Sequence, residues 1–151
     1  MITKDELASR LLSACAEVKA AEGELTEIDS RFGDADHGLT MCKIATAIEE
    51  SVRESEGGIQ AMLDDVAMAV MTLNGGSAVP LWNTWLDGLQ EAAPEGNEAD
   101  SEDLKAMFAN ALAELSDISG AQVGDKTLMD AFVPAIEAIQ ACESNEAALF
   151  E

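Results

Sequence analysis

Residues 29–38 read DSRFGDADHG and interrupt a sequence whose pattern is otherwise helical. Three carboxylates, Asp29, Asp34 and Asp36, fall within eight positions, and the only histidine, His37, follows them directly. Two carboxylates about 4 Å apart repel by about 1 kcal/mol in water and by about 4 kcal/mol near a protein surface. A hard divalent cation with oxygen ligands would remove that repulsion. The stretch therefore predicts a Mg²⁺ or Ca²⁺ site in a loop between helices.

Apolar residues recur at helical spacing on both sides of this loop. On its N-terminal side, Thr3 and Glu6 have the spacing of a capping box and predict a helix from about Lys4 to Glu22. A further helical segment begins at Ser144, and no strand alternation, βαβ unit or repeat is visible. The fold class is therefore all-α, an antiparallel helical bundle or barrel. The other predicted helices cover about 39–52, 59–73, 79–92, 101–115 and 128–139.

Three loops are predicted to meet at one end of this bundle. In a bundle of alternating direction every second loop lies at the same end, which unites 29–38, the turn at 75–76 and the turn at 124–125. Glycines just before a helix start suit phosphate, because free N–H groups and the positive dipole end point outward there. Purely structural explanations of these residues stay open. A Gly-Gly turn is usually a helix C-cap, and carboxylates at a helix N-terminus are ordinary capping residues. The third loop, with Lys126 and Thr127, is equally consistent with a cap beside an exposed lysine.

Composition excludes several function classes. The chain has 151 residues, of which 48% are hydrophobic, enough for a single domain with a core. A formal charge of −22 disfavours nucleic acid and anionic membrane surfaces as partners. No apolar run is long enough to span a membrane, and the N-terminus lacks a signal-peptide core. Three scattered cysteines are typical of buried, reduced thiols, which predicts a cytoplasmic protein.

Two other metal sites fit poorly. With Asp34 as position 1 of an EF-hand loop, Gly38 falls one position early and position 12 is Ala45 in place of glutamate. One histidine and scattered cysteines also argue against a zinc site.

Three motifs together resemble the nucleotide-binding L subunit, or L domain, of dihydroxyacetone kinases. They are LTEIDSRFGDADHGLTM at 25–41, GGSAVPLWNTW at 75–85 and GDKTLMDAFVPAIEA at 124–138. Their order and spacing match, and the similarity covers essentially the whole chain. The resemblance implies a barrel of eight antiparallel helices, about six of them present here, that binds ADP at one rim through two Mg²⁺ ions. Residues 1–151 would then form a single L-type nucleotide-binding domain.

The resemblance also implies roles for individual residues. Asp29, Asp34 and Asp36 would be the Mg²⁺ ligands. The nucleotide would be contacted through its phosphates and its adenosine by His37, Gly38, Leu39, Thr40, Ser77, Ala78, Gly120 and Leu128. No catalytic side chain of this chain is assigned.

The implied activity is transfer of the γ-phosphoryl group of ATP to dihydroxyacetone held on a partner subunit K, which leaves ADP bound to this chain. In one version a phosphohistidine on subunit M, the donor of the phosphotransferase system, recharges bound ADP; in the other, ATP exchanges freely. The alternative is a non-catalytic metal- or nucleotide-binding module that regulates or scaffolds a partner. Formation of a homodimer is left open as a further alternative.

Two departures from the family qualify this reading. The second motif normally reads Gly-Gly-Ala-Ser-Gly-Pro-Leu, so the usual serine is Ala78 and the next glycine is Val79, with Ser77 one position earlier. Family members also continue through two further helices and a loop over the adenine. A gap is therefore expected in the barrel wall, exposing apolar stripes. The chain would be either a fragment or a naturally short member.

Overall fold

A computed structural model of the chain describes residues 1–143 and 149–150. Within these residues the protein forms seven helices and one two-stranded ribbon, which confirms the all-α class. The helical segment predicted from Ser144 lies outside the described residues, apart from a short turn at 149–150. The elements are β1 (Ile2–Thr3), α1 (Lys4–Ala20), α2 (Glu22–Asp29), α3 (His37–Glu54), α4 (Ile59–Met71), α5 (Ala78–Glu91), β2 (Glu98–Ala99), α6 (Ser101–Ser119) and α7 (Met129–Ala141).

Local capping signals set several helix ends as predicted. Thr3 caps α1 in a full capping box with Glu6. Asp100 caps α6, and its carboxylate accepts from the backbone N–H groups of Glu102 and Asp103. These contacts satisfy N–H groups that a helix leaves unpaired in its first turn. Gly120 ends α6 in the left-handed conformation, at φ 63°.

Two elements differ from the sequence prediction. The first predicted helix breaks at Ala21, and a separate helix, α2, runs from Glu22 to Asp29, over residues that no predicted helix covered beyond Glu22. No residue of α2 is buried, so it carries no apolar stripe that a sequence pattern could reveal. The ribbon was also not predicted: Ile2 pairs with Ala99 and Thr3 with Glu98, over strands too short to show alternation.

The helices pack in a row with successive neighbours in contact. α5 packs mainly on α4 and α6, while α3 lies between α1 and α4, α2 covers the start of α3, and α7 packs on α6. The contact between α5 and α6 is close because Gly88 faces the backbone of Ala111, where a Cβ would lie 2.7 Å from the Ala111 Cα. None of the helices in the described part of the chain is long and apolar enough to cross a membrane.

The interior holds an apolar cavity of about 290 Å³ between α1, α3, α5 and α6. The Phe150 ring lines this cavity, where it packs on Phe108 and lies under the guanidinium of Arg10, 4.3 Å from the ring centre. Among the described residues, no large hydrophobic side chain of α1 or α7 is strongly exposed. The exposed stripes expected from a gap in the barrel are therefore not found on these two helices.

The three cysteines are free, as expected. Only Cys15 is buried, while Cys42 and Cys142 are partly exposed, so the expectation of three buried thiols was wrong for two of them. Burial raises the pKa of the Cys15 thiol to about 11, which makes it unreactive at neutral pH.

Candidate functional site

The carboxylates of Asp29, Asp34 and Asp36 converge at one end of the bundle. One oxygen from each lies within 4.8 Å of the others. Asp29 is the last residue of α2 and is half-buried, whereas Asp34 and Asp36 are exposed in the loop that leads to α3. The arrangement can therefore supply oxygen ligands from three sides to a small hard cation.

Backbone hydrogen bonds hold this loop in shape. The Asp29 carboxylate accepts from the backbone N–H of Asp36 at 3.1 Å and of His37 at 3.3 Å. Its backbone carbonyl accepts from the N–H of Gly33 at 2.7 Å. A Cβ at Gly33 would collide with the Asp29 carboxylate, so this position requires glycine. Asp29 thus caps the start of α3 and stands in the cluster at the same time, which reconciles the capping and the metal-site readings of this residue.

The carboxylates of the cluster repel one another electrostatically. A hydrogen bond with Asp34, partial desolvation and the charges of Asp34 and Asp29 together raise the pKa of Asp36 above its usual 3.8, and His37 opposes this. The rise reflects carboxylates that resist being ionised together. Ala35, between the two aspartates, adopts the left-handed conformation at φ 62°, which costs a residue with a Cβ about 1–2 kcal/mol.

A pocket of about 650 Å³ lies next to the cluster at His37; the three aspartates do not line it, but residues at or just after the end of each predicted loop do. His37 comes from the first, Ser77 and Ala78 from the second, and Leu128 from the third. The structure thereby confirms that the three loops meet at one rim. The wall is completed by α1, α2, α3, α5 and the residue between α1 and α2, with Glu17, Val18, Ala21, Leu25, Met41, Leu81 and Trp82.

Three helices begin at this rim. α3, α5 and α7 start with His37, Ala78 and Met129, so their positive dipole ends converge at one end of the bundle. At the start of α7 the Met129 N–H donates to the Thr127 hydroxyl at 3.2 Å. The N-cap residue of α5, Ser77, makes no such bond. The start of α5 is therefore the one of these two helix ends that is better suited to an anion such as phosphate.

The second loop has an unusual start to α5. The Val79 side chain is buried and folds over the turn, so that a Cβ at Gly75 would lie 2.6 Å from its Cγ2. Ser77 is exposed in the pocket wall and makes no capping hydrogen bond to α5. Its hydroxyl is therefore available to a ligand, one position before Ala78.

The third loop is built around Asp130, a residue that the sequence analysis did not single out. Its carboxylate accepts from the N–H of Gly124 at 2.7 Å and of Thr127 at 2.9 Å. These bonds hold the pKa of Asp130 below its usual 3.8. Lys126 sits in the left-handed conformation at φ 61°, and Asp125 accepts from the Gln122 N–H. Asp130 is the seventh residue of the third motif, and its spacing from Thr127 is a capping spacing that could have identified it.

The four remaining predicted nucleotide contacts do not line this pocket. Gly38 is buried where α3 crosses α2, and a Cβ there would collide with the Glu22 carbonyl and the Thr26 hydroxyl. Thr40 is buried one turn into α3, Leu39 is 51% exposed, and Gly120 caps α6. These residues are adjacent to the rim in sequence, but the pocket lining includes none of them.

Comparison with protein-family profiles matches residues 31–151 to the DAK2 domain. This chain belongs to the DAK2 domain family. The match includes Asp34, Asp36, the Gly75–Gly76 turn and the third loop, so the rim described above lies almost wholly within the DAK2 domain.

Curated relatives of this DAK2 domain are kinases and kinase subunits. The chain is 30% identical over 137 residues to the PEP-dependent dihydroxyacetone kinase ADP-binding subunit DhaL of Escherichia coli, covering 89% of this chain and 65% of that protein. It is 35% identical to the D-erythrulose kinase of Mycolicibacterium smegmatis, over 89% of this chain and 24% of that protein. The chain thus spans about two thirds of the length of the E. coli subunit and a quarter of the larger kinase.

The DAK2 fold is also seen in a solved structure. The crystal structure of the dihydroxyacetone kinase from C. freundii in complex with AMP-PNP and Mg²⁺ superposes with a TM-score of 0.73 at 22% identity. The match covers 89% of this chain and 25% of that one. At this identity the likeness establishes a common fold, which confirms the architecture implied by the sequence resemblance.

Proposed function

We propose that residues 1–151 act as one L-type domain that binds Mg²⁺ and ADP/ATP and passes a phosphoryl group to dihydroxyacetone held on a partner subunit K. The observation that carries this proposal is the convergence of three carboxylates within 4.8 Å, next to His37, which lines a pocket together with Ser77, Ala78 and Leu128 from the other two sides of the rim. The name of the E. coli relative, an ADP-binding subunit of a dihydroxyacetone kinase, supports it.

The carboxylate cluster offers the kind of ligands that Mg²⁺ prefers. Mg²⁺ takes one or two carboxylates and completes its shell with water and substrate phosphates, which the exposed Asp34 and Asp36 permit. Three carboxylates of about −3, two Mg²⁺ ions of about +4 and ADP of about −3 sum to about −2, whereas the carboxylates and ADP without the metal ions would carry about −6. Two metal ions at Asp29, Asp34 and Asp36 are therefore part of the proposal.

The phosphates would lie where the helices begin. His37, Gly38, Leu39 and Thr40 belong to the first turn of α3, and Ser77 and Ala78 to the start of α5. The His37 N–H already donates to Asp29 and the Thr40 N–H to the Asp36 carbonyl. The proposed donors are therefore the other backbone N–H groups at these two helix starts and the Ser77 hydroxyl. Leu128 lines the same pocket and, with Gly120, would be near the adenosine.

Bound ATP would supply the phosphoryl group, and bound Mg²⁺ would neutralise the charge that develops during its transfer. This chain's own residues would orient the phosphates and bring them to the rim. Subunit K would hold the acceptor, and either subunit M or free ATP would restore the donor. We place the protein in the cytoplasm, where these partners would act, with a homodimer as a further option.

Thermal unfolding with Mg²⁺ and ADP tests the proposal. A ligand present at about 100 times its Kd adds about 2.7 kcal/mol to folding stability. For a chain of this size we expect the melting temperature to rise by about 5–10 °C. The absence of any shift at millimolar Mg²⁺ and ADP would contradict the proposal.

A matched pair of variants locates the metal. Asp34→Asn combined with Asp36→Asn is expected to abolish the shift. Asp64→Asn combined with Asp65→Asn changes the net charge equally on an exposed part of α4 and should retain it. A shift that survives the first variant would show that the metal lies elsewhere. Production of dihydroxyacetone phosphate on adding subunits K and M with a phosphoryl donor then tests the transfer itself.

The second candidate is a non-catalytic module that binds metal and nucleotide in order to regulate a partner. The buried Val79 favours it, because this side chain occupies the turn where family members have glycine. If Mg²⁺ and ADP raise the melting temperature but no sugar phosphate forms with subunits K and M, the regulatory function is the better account.

A further inference from the structure

Lys126 is the only basic residue of the third rim loop, residues 120–128, and the proposed function gives it no role. Its side chain is exposed. Leu128, two residues further along, lines the candidate pocket together with His37 and Ser77. Two residues of chain span at most about 7 Å, and a lysine side chain adds a flexible four-carbon stem. The Lys126 ammonium can therefore reach a ligand in this pocket.

The capping bonds of the third rim loop do not use the Lys126 side chain. The Asp130 carboxylate accepts from the backbone N–H groups of Gly124 and Thr127, and the Asp125 carboxylate accepts from another backbone N–H of the loop at 2.9 Å. Both neighbouring carboxylates are thus directed at the backbone. Within the described residues the Lys126 ammonium makes no ion pair, so the capping role of the loop leaves its charge unexplained.

Unpaired basic side chains are rare in this chain, which has 8 basic and 30 acidic residues. Six of the basic side chains contact a partner in the described structure. They are Lys4, Arg10, Lys19, Arg31, Arg53 and Lys105. Lys43, which is exposed on α3, is the other one without such a contact among the described residues. Of these two, only Lys126 lies in a rim loop, where its charge is available to an anionic ligand.

The charge of the proposed site favours a nearby cation. The three carboxylates, two Mg²⁺ ions and ADP sum to about −2, and a γ-phosphate makes this sum more negative. An ammonium that donates to a phosphate oxygen forms a charge-assisted hydrogen bond, which is stronger than a neutral one. A lysine on the β- or γ-phosphate is also a recurrent part of phosphoryl-transfer sites.

The backbone of the loop is fixed on both sides of Lys126. Gly124 precedes it and Thr127 follows it, and the N–H groups of both donate to the Asp130 carboxylate. Lys126 itself is in the left-handed conformation at φ 61°, which is unfavourable for a residue with a Cβ. Such backbone conformations persist where the surrounding structure imposes them, and they cluster at ligand sites.

We propose that the Lys126 ammonium binds the phosphate chain of ADP/ATP at the rim. The inference rests on the proposed function, and it adds a side chain from the third loop to the phosphate contacts proposed at the starts of α3 and α5. All three loops would then act on one nucleotide, the first through Mg²⁺, the second through the start of α5 and the third through Lys126.

The test is calorimetric titration of the chain with ADP in the presence of Mg²⁺, at low and at high salt. Lys126→Gln is expected to weaken binding about tenfold, as loss of a hydrogen bond to a charged group does. Its affinity should also depend less on salt, because one exposed charge pair is lost. Lys126→Arg should retain most of the affinity. Arg53→Gln is the control, since it removes one positive charge in the last turn of α3, at the other end of the bundle, and should bind like the original chain.

The outcomes separate this inference from the proposed function. Equal binding by Lys126→Gln and the original chain overturns the role of Lys126 and leaves the nucleotide site standing. Equal weakening by Lys126→Gln and Arg53→Gln also overturns it, because net charge would then be the cause. If Lys126→Arg binds as weakly as Lys126→Gln, the contact is not made by charge and the inference fails. If the original chain binds no ADP with Mg²⁺, the proposed function fails and the inference fails with it.

Discussion

The carboxylate of Asp130 accepts a hydrogen bond of 2.7 Å from the backbone N–H of Gly124, six residues earlier in the chain. Together with its bond from Thr127, this contact closes the third rim loop before α7 begins. Loops that form binding sites are often held by such side-chain to backbone bonds, since their own backbones lack regular partners.

We therefore expect Asp130→Asn to lower the melting temperature by a few degrees at neutral pH. The two N–H groups bond different oxygens of the Asp130 carboxylate. An amide has only one acceptor oxygen, so asparagine can replace only one of the two bonds in the same geometry. Because the folded-state pKa is lowered, the carboxylate stabilises the fold above about pH 3.8 and loses this effect as the pH falls through the lower folded value. The difference between variant and original should accordingly shrink in acid.

The control for Asp130 is Asp117→Asn, an equal change of charge on the exposed surface of α6. It should leave the melting temperature and its pH dependence nearly unchanged. A similar loss in both variants would mean that net charge, and not the loop bonds, causes the effect.

Substitution of Asp36 should have opposite effects on the melting temperature of the metal-free and the metal-bound chain. Asp36→Asn removes repulsion from Asp34 and Asp29, so without Mg²⁺ it should raise the melting temperature in low salt. In the presence of Mg²⁺ and ADP it should reduce the stabilisation by ligand. Thermal scans in low and in 1 M salt check this, because high salt should remove most of the gain without Mg²⁺. A variant less stable than the original without metal would contradict the repulsion argument.

A glycine substitution at Ala35 tests whether the backbone of the same loop is strained at this position. Its left-handed conformation suits glycine, so Ala35→Gly should stabilise the fold by about 0.5–1 kcal/mol after allowing for the greater freedom of glycine in the unfolded chain. Ala47→Gly, inside α3, should instead destabilise it by about 1 kcal/mol. Urea unfolding of both variants measures the contrast, and equal signs would show that position 35 is not strained.

Two glycines in helices should respond in opposite directions to alanine. At Gly88 a Cβ would press on the backbone of Ala111, so Gly88→Ala should destabilise the protein by about 1–3 kcal/mol. At Gly23, on α2, a Cβ meets nothing within 4 Å, and Gly23→Ala should stabilise it by about 0.5–1 kcal/mol. Denaturant unfolding decides the matter, and a tolerated Gly88→Ala would show that α5 and α6 can separate at little cost.

What the sequence could predict depends on how local each signal is. Thr3 with Glu6, and the three aspartates of the cluster, act over a few residues and were recognised as such. The shared rim followed from the alternation of helix directions. The pairing of Ile2 with Ala99 spans almost a hundred positions and has no local signature. α2 was missed because it buries no residue, and the position of Val79 over Gly75 required the folded backbone.

Trp82 offers a direct readout of the proposed pocket. It lines the pocket and packs edge-on against Phe132 at 5.6 Å, whereas Trp85 is buried in the interior and stacks on the same ring at 4.3 Å. The chain has no tyrosine, so its fluorescence comes almost entirely from these two tryptophans.

We expect Mg²⁺ with ADP to change the tryptophan emission, because a nucleotide in the pocket would contact or dehydrate Trp82. Titration of ADP in the presence of Mg²⁺ measures the effect, and Trp82→Phe should remove most of it while leaving the thermal shift in place. Trp85→Phe is the matched control and should retain the response. A response that follows Trp85 would mean that the ligand acts on the core through a change in helix packing, and not by filling the pocket between the three loops.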